Sequence, residues 1–356
     1  MTGTPSDNDS DGGRNDGSDD DSDDSDGNDG DSGDGRAPPN ATVSLPADVV
    51  ERYRKFSRFN SPYPAHRSGR AVDLYPGDGV GRSPVAGTVR EVRSVGCPDR
   101  PYAAAEDHLI VVDLDDEWCA RADAPPGTVA RILHVIPEVA PGDRVAVGDA
   151  LGPTTRSGFF GQWVDDHVHL GFRPPDADPL RASGSLPVAV DGPVEPVAWD
   201  GTGPVVERGP THVVLDGPRR DESGPPFAAL ASDEGAPLDG GLTHYAGGGA
   251  FGTGERTAGT ERRTAAADGP TVSLFGTTIG TATAHGTAGE PGPPRVEWEP
   301  VDVLANGERV VGLSLFAARG ARFGVKVVCP DREFAVGESV TVEIVPSDDP
   351  VRLGVG

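Results

Sequence analysis

Three cysteines in 356 residues, Cys97, Cys119 and Cys329, are too few and odd in number for a disulfide framework or a cysteine-ligated zinc site. They read as ordinary buried or half-buried thiols. Lysine is scarcer still. Lys55 and Lys326 are the two in the chain, and arginine supplies the rest of the 31 basic residues. Long apolar runs are absent too: none approaches the ~18–20 residues that cross a membrane. The N-terminus shows no basic, apolar and small-residue succession of a secretory signal. The expectation is a cytoplasmic protein with no membrane insertion. Positive charge is also short, with a net charge of −26 and a pI near 4.5. That disfavours nucleic acid, whose phosphates need a cationic face, and anionic membranes.

Aspartate is what the chain has in quantity. Residues 1–36 hold 13 Asp against 2 Arg, so −11 of the net charge lies there and −15 is spread over the other 320 residues. Residues 1–40, rich in Asp, Ser, Gly and Asn, have too little apolar surface to offset ordering entropy and are expected to form a disordered acidic tail. High Asp, Ala and Gly with arginine in place of lysine resembles the composition of proteins from extreme halophiles. There, surface carboxylates maintain solubility while salt screens their repulsion.

One short helix is expected within 41–59, opened by Pro46-Ala-Asp48, with Val49, Val50, Tyr53 and Phe56 on one side. From about 61 to 190 short β-rich runs alternate with Gly/Pro turns. The candidates are Ala71–Tyr75, Val85–Val92, His108–Leu114, Val129–Val135, Arg144–Ala146 and His167–Phe172. This texture predicts a mainly β domain, a sandwich or small barrel, over 41–190. Residues 191–356 read as a second, β-rich accessory domain. Gly247–Ala267 reads as a long flexible loop within it. Val301–Leu304, Asn306-Gly307 and Arg309–Phe316 read as a hairpin.

Two runs carry the chemistry: His66-Arg-Ser-Gly-Arg-Ala-Val-Asp73, and His167-Val-His169 about a hundred residues later. A histidine, an aspartate and a paired H-x-H are the donors a mononuclear zinc hydrolase needs, three for the metal with a fourth position open to water. On a strand, residues i and i+2 point to one face, so both histidines of the pair can line one site. Glu106, Asp107 and Asp165 are candidate partners to the histidines, though solvated carboxylates are the commoner case in so acidic a chain. His108, His212, His244 and His285 fit no motif. A surface position is expected for His244-Tyr245.

These segments resemble the superfamily of lysostaphin-type metallopeptidases, D-Ala-D-Ala carboxypeptidases and the hedgehog domain. The first motif, H-x-x-G-x-A-x-D, is similar to the carboxypeptidase and hedgehog form. The rest is similar to the lysostaphin (LytM-like) type: Ser83-Pro-Val-Ala-Gly-Thr-Val89, Ile132-Leu-His134-Val, Val139-Ala-Pro-Gly-Asp-Arg-Val145 with Gly148-Asp-Ala-Leu-Gly152, Asp166-His-Val-His-Leu-Gly-Phe-Arg173, and Asp178-Pro-Leu180. Their order and spacing agree over about 120 residues. Two positions depart from the lysostaphin pattern: Gly171 stands where it has Glu, and Ile132 where it has Tyr.

The resemblance implies a duplicated hybrid-motif β fold and a zinc-dependent hydrolase cleaving peptide bonds. It implies His66, Asp73 and His169 as ligands to one zinc ion, with His167 and His134 as catalytic histidines beside it. The implied partner is a peptide or peptide-like polymer. The alternative is a non-catalytic binding module on the same fold, zinc-bound or metal-free. A biotinyl- or lipoyl-type carrier is disfavoured, since no lysine between 55 and 326 can serve as its attachment point.

Overall fold

The computed structural model describes residues 41–181, 183–220, 225–251, 269–283, 295–320 and 324–354. The acidic tail 1–40 and His285 lie outside the described residues. The protein is mainly β, built on large curled sheets of ten and twelve strands. Helices among the described residues are three short turns, Ala47–Val50, Pro64–Arg67 and Asp116–Arg121. None is long and apolar enough to cross a membrane.

The ten-stranded sheet carries the motifs. Its middle runs Lys55–Ser57, Val72–Tyr75, Val168–Arg173, Val129–Leu133, Glu106–Leu114 and Gly87–Gly96, each antiparallel to the next. Period-2 alternation decides what each face holds. Val72, Leu74, Ile110, Val112, Ala130, Ile132, Val168, Leu170 and Phe172 are fully buried in one core. Asp73, Arg131 and His169 occupy the intervening positions and therefore share the opposite face. A one-residue slip in any of these strands would exchange its core residues for its polar ones, which makes the register strongly specified.

The C-terminal region contributes to this same sheet. Ala317–Ala318 pairs with Lys55–Ser57, Phe227–Leu230 pairs with Ala317–Ala318, and Val194–Val197 runs parallel to Phe227–Leu230. Phe56 packs edge-on against Phe227 at 4.9 Å and Phe251 at 5.1 Å between ring centroids. Burying a side chain of this size contributes ~1.5–3 kcal/mol. The boundary near 190 thus does not separate the two sheets' strands. The twelve-stranded sheet is drawn from Thr202–Arg208 through Ser339–Pro346. It has its own core, including Leu238, Leu242, Leu313, Leu315 and Val327.

Several sequence expectations need correction. The helix within 41–59 is one turn, Ala47–Val50, between strands Val43–Leu45 and Lys55–Ser57. Val49, Val50, Tyr53 and Phe56 are all buried, but Phe56 arrives from a strand. Four residues cannot sustain a helix alone, and pairing with Val188–Val190 and Val72–Tyr75 claims the flanks. Arg309–Phe316 is not one strand. Glu308–Val310 completes the hairpin with Val301–Ala305, while Gly312–Leu315 leaves to pair with Leu238–Leu242. The break falls at Gly312, whose φ of 148° suits glycine. Gly247–Ala250 is a strand rather than loop, paired on both sides. Gly249 has no side chain because one would run into the Phe59 ring. Residues 252–267 lie outside the described residues. All three cysteines are free, Cys119 and Cys329 buried and Cys97 partly so.

Candidate metal centre

His66, Asp73 and His169 converge. His66 sits on the one-turn helix Pro64–Arg67, while His169 and Asp73 are direct cross-strand partners. His169 Nδ1 lies 3.0 Å from Asp73 Oδ1, His66 Nε2 lies 3.3 Å from that oxygen, and His66 Nε2 lies 3.1 Å from His169 Nδ1. The wide H-x-x-G-x-A-x-D spacing does not keep His66 from Asp73. The turn at Ser68–Gly69, with Gly69 at φ 64°, folds the extra residues back between helix and strand.

The donor set fits a cation. His66 Nδ1 donates to the Arg58 carbonyl at 2.8 Å, so in the neutral ring Nε2 carries the lone pair. Nε2, His169 Nδ1 and Asp73 Oδ1 then form a triangle of donor atoms with edges of 3.0–3.3 Å. A single proton can relieve one edge; a metal ion would relieve all three. Burial pushes the His169 ring down to about 4 against the pull of Asp73, which leaves it neutral near pH 7, the form that binds metal. Burial also pushes the Asp73 carboxyl up, but its interactions with His66, His167 and His169 outweigh it. They hold the carboxyl well below the usual range, ionised.

His167 and His134 stand beside this cluster. His167 Nδ1 donates to the Asp165 carbonyl at 2.8 Å, which turns Nε2 toward Asp73 Oδ1 at 3.5 Å. Burial lowers this ring to about 4 as well. The His134 ring lies 4.9 Å from that of His167 and 5.7 Å from that of His169, centroid to centroid. His134 has a φ of 68°, an unfavourable value for a residue with a side chain. One carboxylate stabilises it there. Asp107 accepts from the His134 amide at 3.1 Å and from its Nδ1 at 2.5 Å, and also from Ser157 Oγ at 2.7 Å. Asp107 is fully buried rather than a solvated carboxylate, while Glu106 is exposed. The centre opens into a cavity of about 260 Å³ with aromatic walls from Tyr63, Phe159, Phe160 and Tyr245.

Some of the supporting residues carry no motif. Both of the chain's lysines reach Asp165, Lys55 from the N-terminal region and Lys326 from the C-terminal region. Lys326 Nζ lies 2.8 Å from Oδ1 and also donates to the Trp163 carbonyl at 2.6 Å. Asp165 therefore holds two ammonium groups by its side chain and His167 by its backbone. Their scarcity was the available sequence signal. Tyr245 and His244 are buried, not on the surface. His244 packs against Trp163 and Tyr245, and strand Leu238–Leu242 carries the pair inward.

Burial, then the charge of Lys55, pulls the Lys326 ammonium from 10.5 down to about 8, opposed by Asp165. Between those values the unfolded chain binds the proton more tightly, so this residue's contribution to stability rises with pH from about 8 to 10.5. Lys326→Met should flatten that rise in denaturant unfolding followed across the window. An unchanged rise would remove Lys326 as its source.

Fold and cluster define a mainly β protein of two regions, with a His/Asp cluster whose donor atoms could hold a metal ion. The chain belongs to the DUF8155 family: residues 44–190 match the domain of unknown function (DUF8155) N-terminal domain, and residues 195–345 match its C-terminal domain. No curated protein matches the chain.

Proposed function

We propose that this protein is a zinc-dependent hydrolase of peptide bonds, similar to lysostaphin-type metallopeptidases. The observation that carries the reading is the convergence of His66, Asp73 and His169 on a triangle of donor atoms, with two further histidines alongside. When bound, zinc supplies a water acidic enough to act as nucleophile near neutral pH and polarises the scissile carbonyl.

The protein's own residues do the rest. Asp107 orients the His134 ring through Nδ1, leaving Nε2 as the edge that takes a proton from the attacking water. The neutral His167 ring, held through Nδ1–H by the Asp165 carbonyl, presents the lone pair of Nε2 to the centre as a second proton acceptor. Phe160, whose ring centroid lies 4.6 Å from that of His167 and 5.2 Å from that of His134, excludes water from both.

The test is zinc content of the purified chain followed by a peptide-library digestion read by mass spectrometry. One zinc per chain, with cleavage lost on chelation and restored by zinc, is the expected result. Stoichiometric zinc with no cleavage would favour a binding module instead.

A further inference from the structure

We infer that Arg131 is a substrate anchor that takes a peptide carboxylate at the end of the metal cleft, which deepens the hydrolase reading and rests on it for the cleavage itself. Arg131 lines the same cavity as His66, His134 and His169. Its strand position is fixed: Arg131 faces Gly171, and the next pair on that face is Leu133 with His169. The guanidinium-bearing residue is therefore diagonal to a ligand histidine, about 7 Å away along the strand.

Among the described residues no hydrogen bond or ion pair engages the Arg131 side chain, and its Nε is buried without a partner. The carboxylate that acts on it most, Asp178, is hydrogen-bonded to the Leu180 amide and paired with Arg181. Such isolation is unusual in a chain with 57 acidic residues against 31 basic ones. The neighbouring Arg173 adds like charge, and its Nη1 donates to Ser185 Oγ at the cavity wall. A half-buried guanidinium beside a second one is left short of a counter-anion.

The space for that anion is made by Gly171. A Cβ there would find nothing closer than the Arg70 carbonyl at 3.7 Å and Ser185 Oγ at 3.8 Å. Opposite Arg131 there is thus a gap where a side chain could stand but none does. Guanidinium binds carboxylate bidentately, and Ser185 Oγ–H adds one more donor. The class of ligand is a peptide with a carboxylate within a residue or two of the bond at the metal, contributed by a chain terminus or an acidic side chain.

The experiment measures binding of three probes to the full chain by saturation-transfer NMR, with zinc and after chelation. The probes are acetyl-Gly-Ala as free acid, acetyl-Gly-Ala amide and acetyl-Gly-Asp amide. The parent should prefer at least one acid to the neutral amide by about tenfold or more, as a charge-assisted pair implies. The preference should survive chelation, and which acid wins identifies the carboxylate as terminal or side-chain. Arg131→Gln should abolish the preference. Gly171→Glu should abolish it too, by placing an internal carboxylate in the gap without disturbing the core.

Equal binding of acids and amide to the parent would overturn the anchor. So would a preference that persists in both variants, or one that vanishes on chelation, which would put the carboxylate on the metal. Failure of the zinc reading looks different: no metal uptake, with the acid preference intact in the metal-free chain.

Discussion

His169→Ala should leave the protein without stoichiometric zinc and with peptide cleavage reduced to background, whereas His167→Ala should keep one zinc and lose roughly 10²–10⁴-fold in rate. The two residues are separated by one position, yet the geometry gives them different work. His169 Nδ1 is one corner of the donor triangle, at 3.0 Å from Asp73 and 3.1 Å from His66. Removing it leaves two donors, one short of the protein-ligand set of a catalytic zinc site. His167 reaches Asp73 at 3.5 Å and is tied through Nδ1 to a backbone carbonyl, so its loss leaves the triangle whole. Metal content by mass spectrometry beside cleavage rate separates the cases. Stoichiometric zinc in His169→Ala would show the ligand assignment to be wrong, and loss of zinc in His167→Ala would make that residue a fourth ligand.

Asp239→Ala should weaken zinc binding about 10–100-fold and destabilise the fold by roughly 3 kcal/mol or more. Asp239 lies on Leu238–Leu242 of the C-terminal region and is fully buried. It accepts from Ser57 Oγ at 2.5 Å, the Arg58 amide at 2.6 Å and the Phe59 amide at 3.1 Å. The same Arg58 offers its carbonyl to His66 Nδ1. One carboxylate thus secures the backbone segment that orients His66, more than 170 residues away in sequence. Removing it orphans three buried donors and takes away the carboxylate charge that acts on the buried Arg58 guanidinium. Zinc affinity by chelator competition, beside calorimetric stability in the metal-free state, distinguishes the two effects. A stability loss with unchanged zinc affinity would mean that Asp239 supports the fold without reaching the centre.

The extent to which the site was legible follows from the range of each interaction. His167-Val-His169 needed only period-2 alternation, because Val168 enters the core and the histidines are left together. Asp73 was legible in the same way, between Val72 and Leu74. In the sequence Asp107 is one of three candidate carboxylates, with nothing to set it above Glu106 or Asp165. Its burial depends on the pairing of Glu106–Leu114 with Val129–Leu133, which brings it beneath His134. The glycines that follow His244 and Tyr245 suggest a surface loop, yet both residues are buried. Those glycines instead let strands approach one another and pack against aromatic rings.

By itself, the sequence determined the β class, the order of the histidine- and aspartate-bearing segments and which strand residues share a face, since alternation is a local property of the extended backbone. Tertiary structure alone decided that Gly171 stands opposite an unpaired Arg131, that Asp239 reaches the residues behind His66, and that Lys55 and Lys326 meet at Asp165. Each of these depends on register between strands distant in sequence, and that register is set by how buried side chains fill the cores rather than by any pattern within one strand.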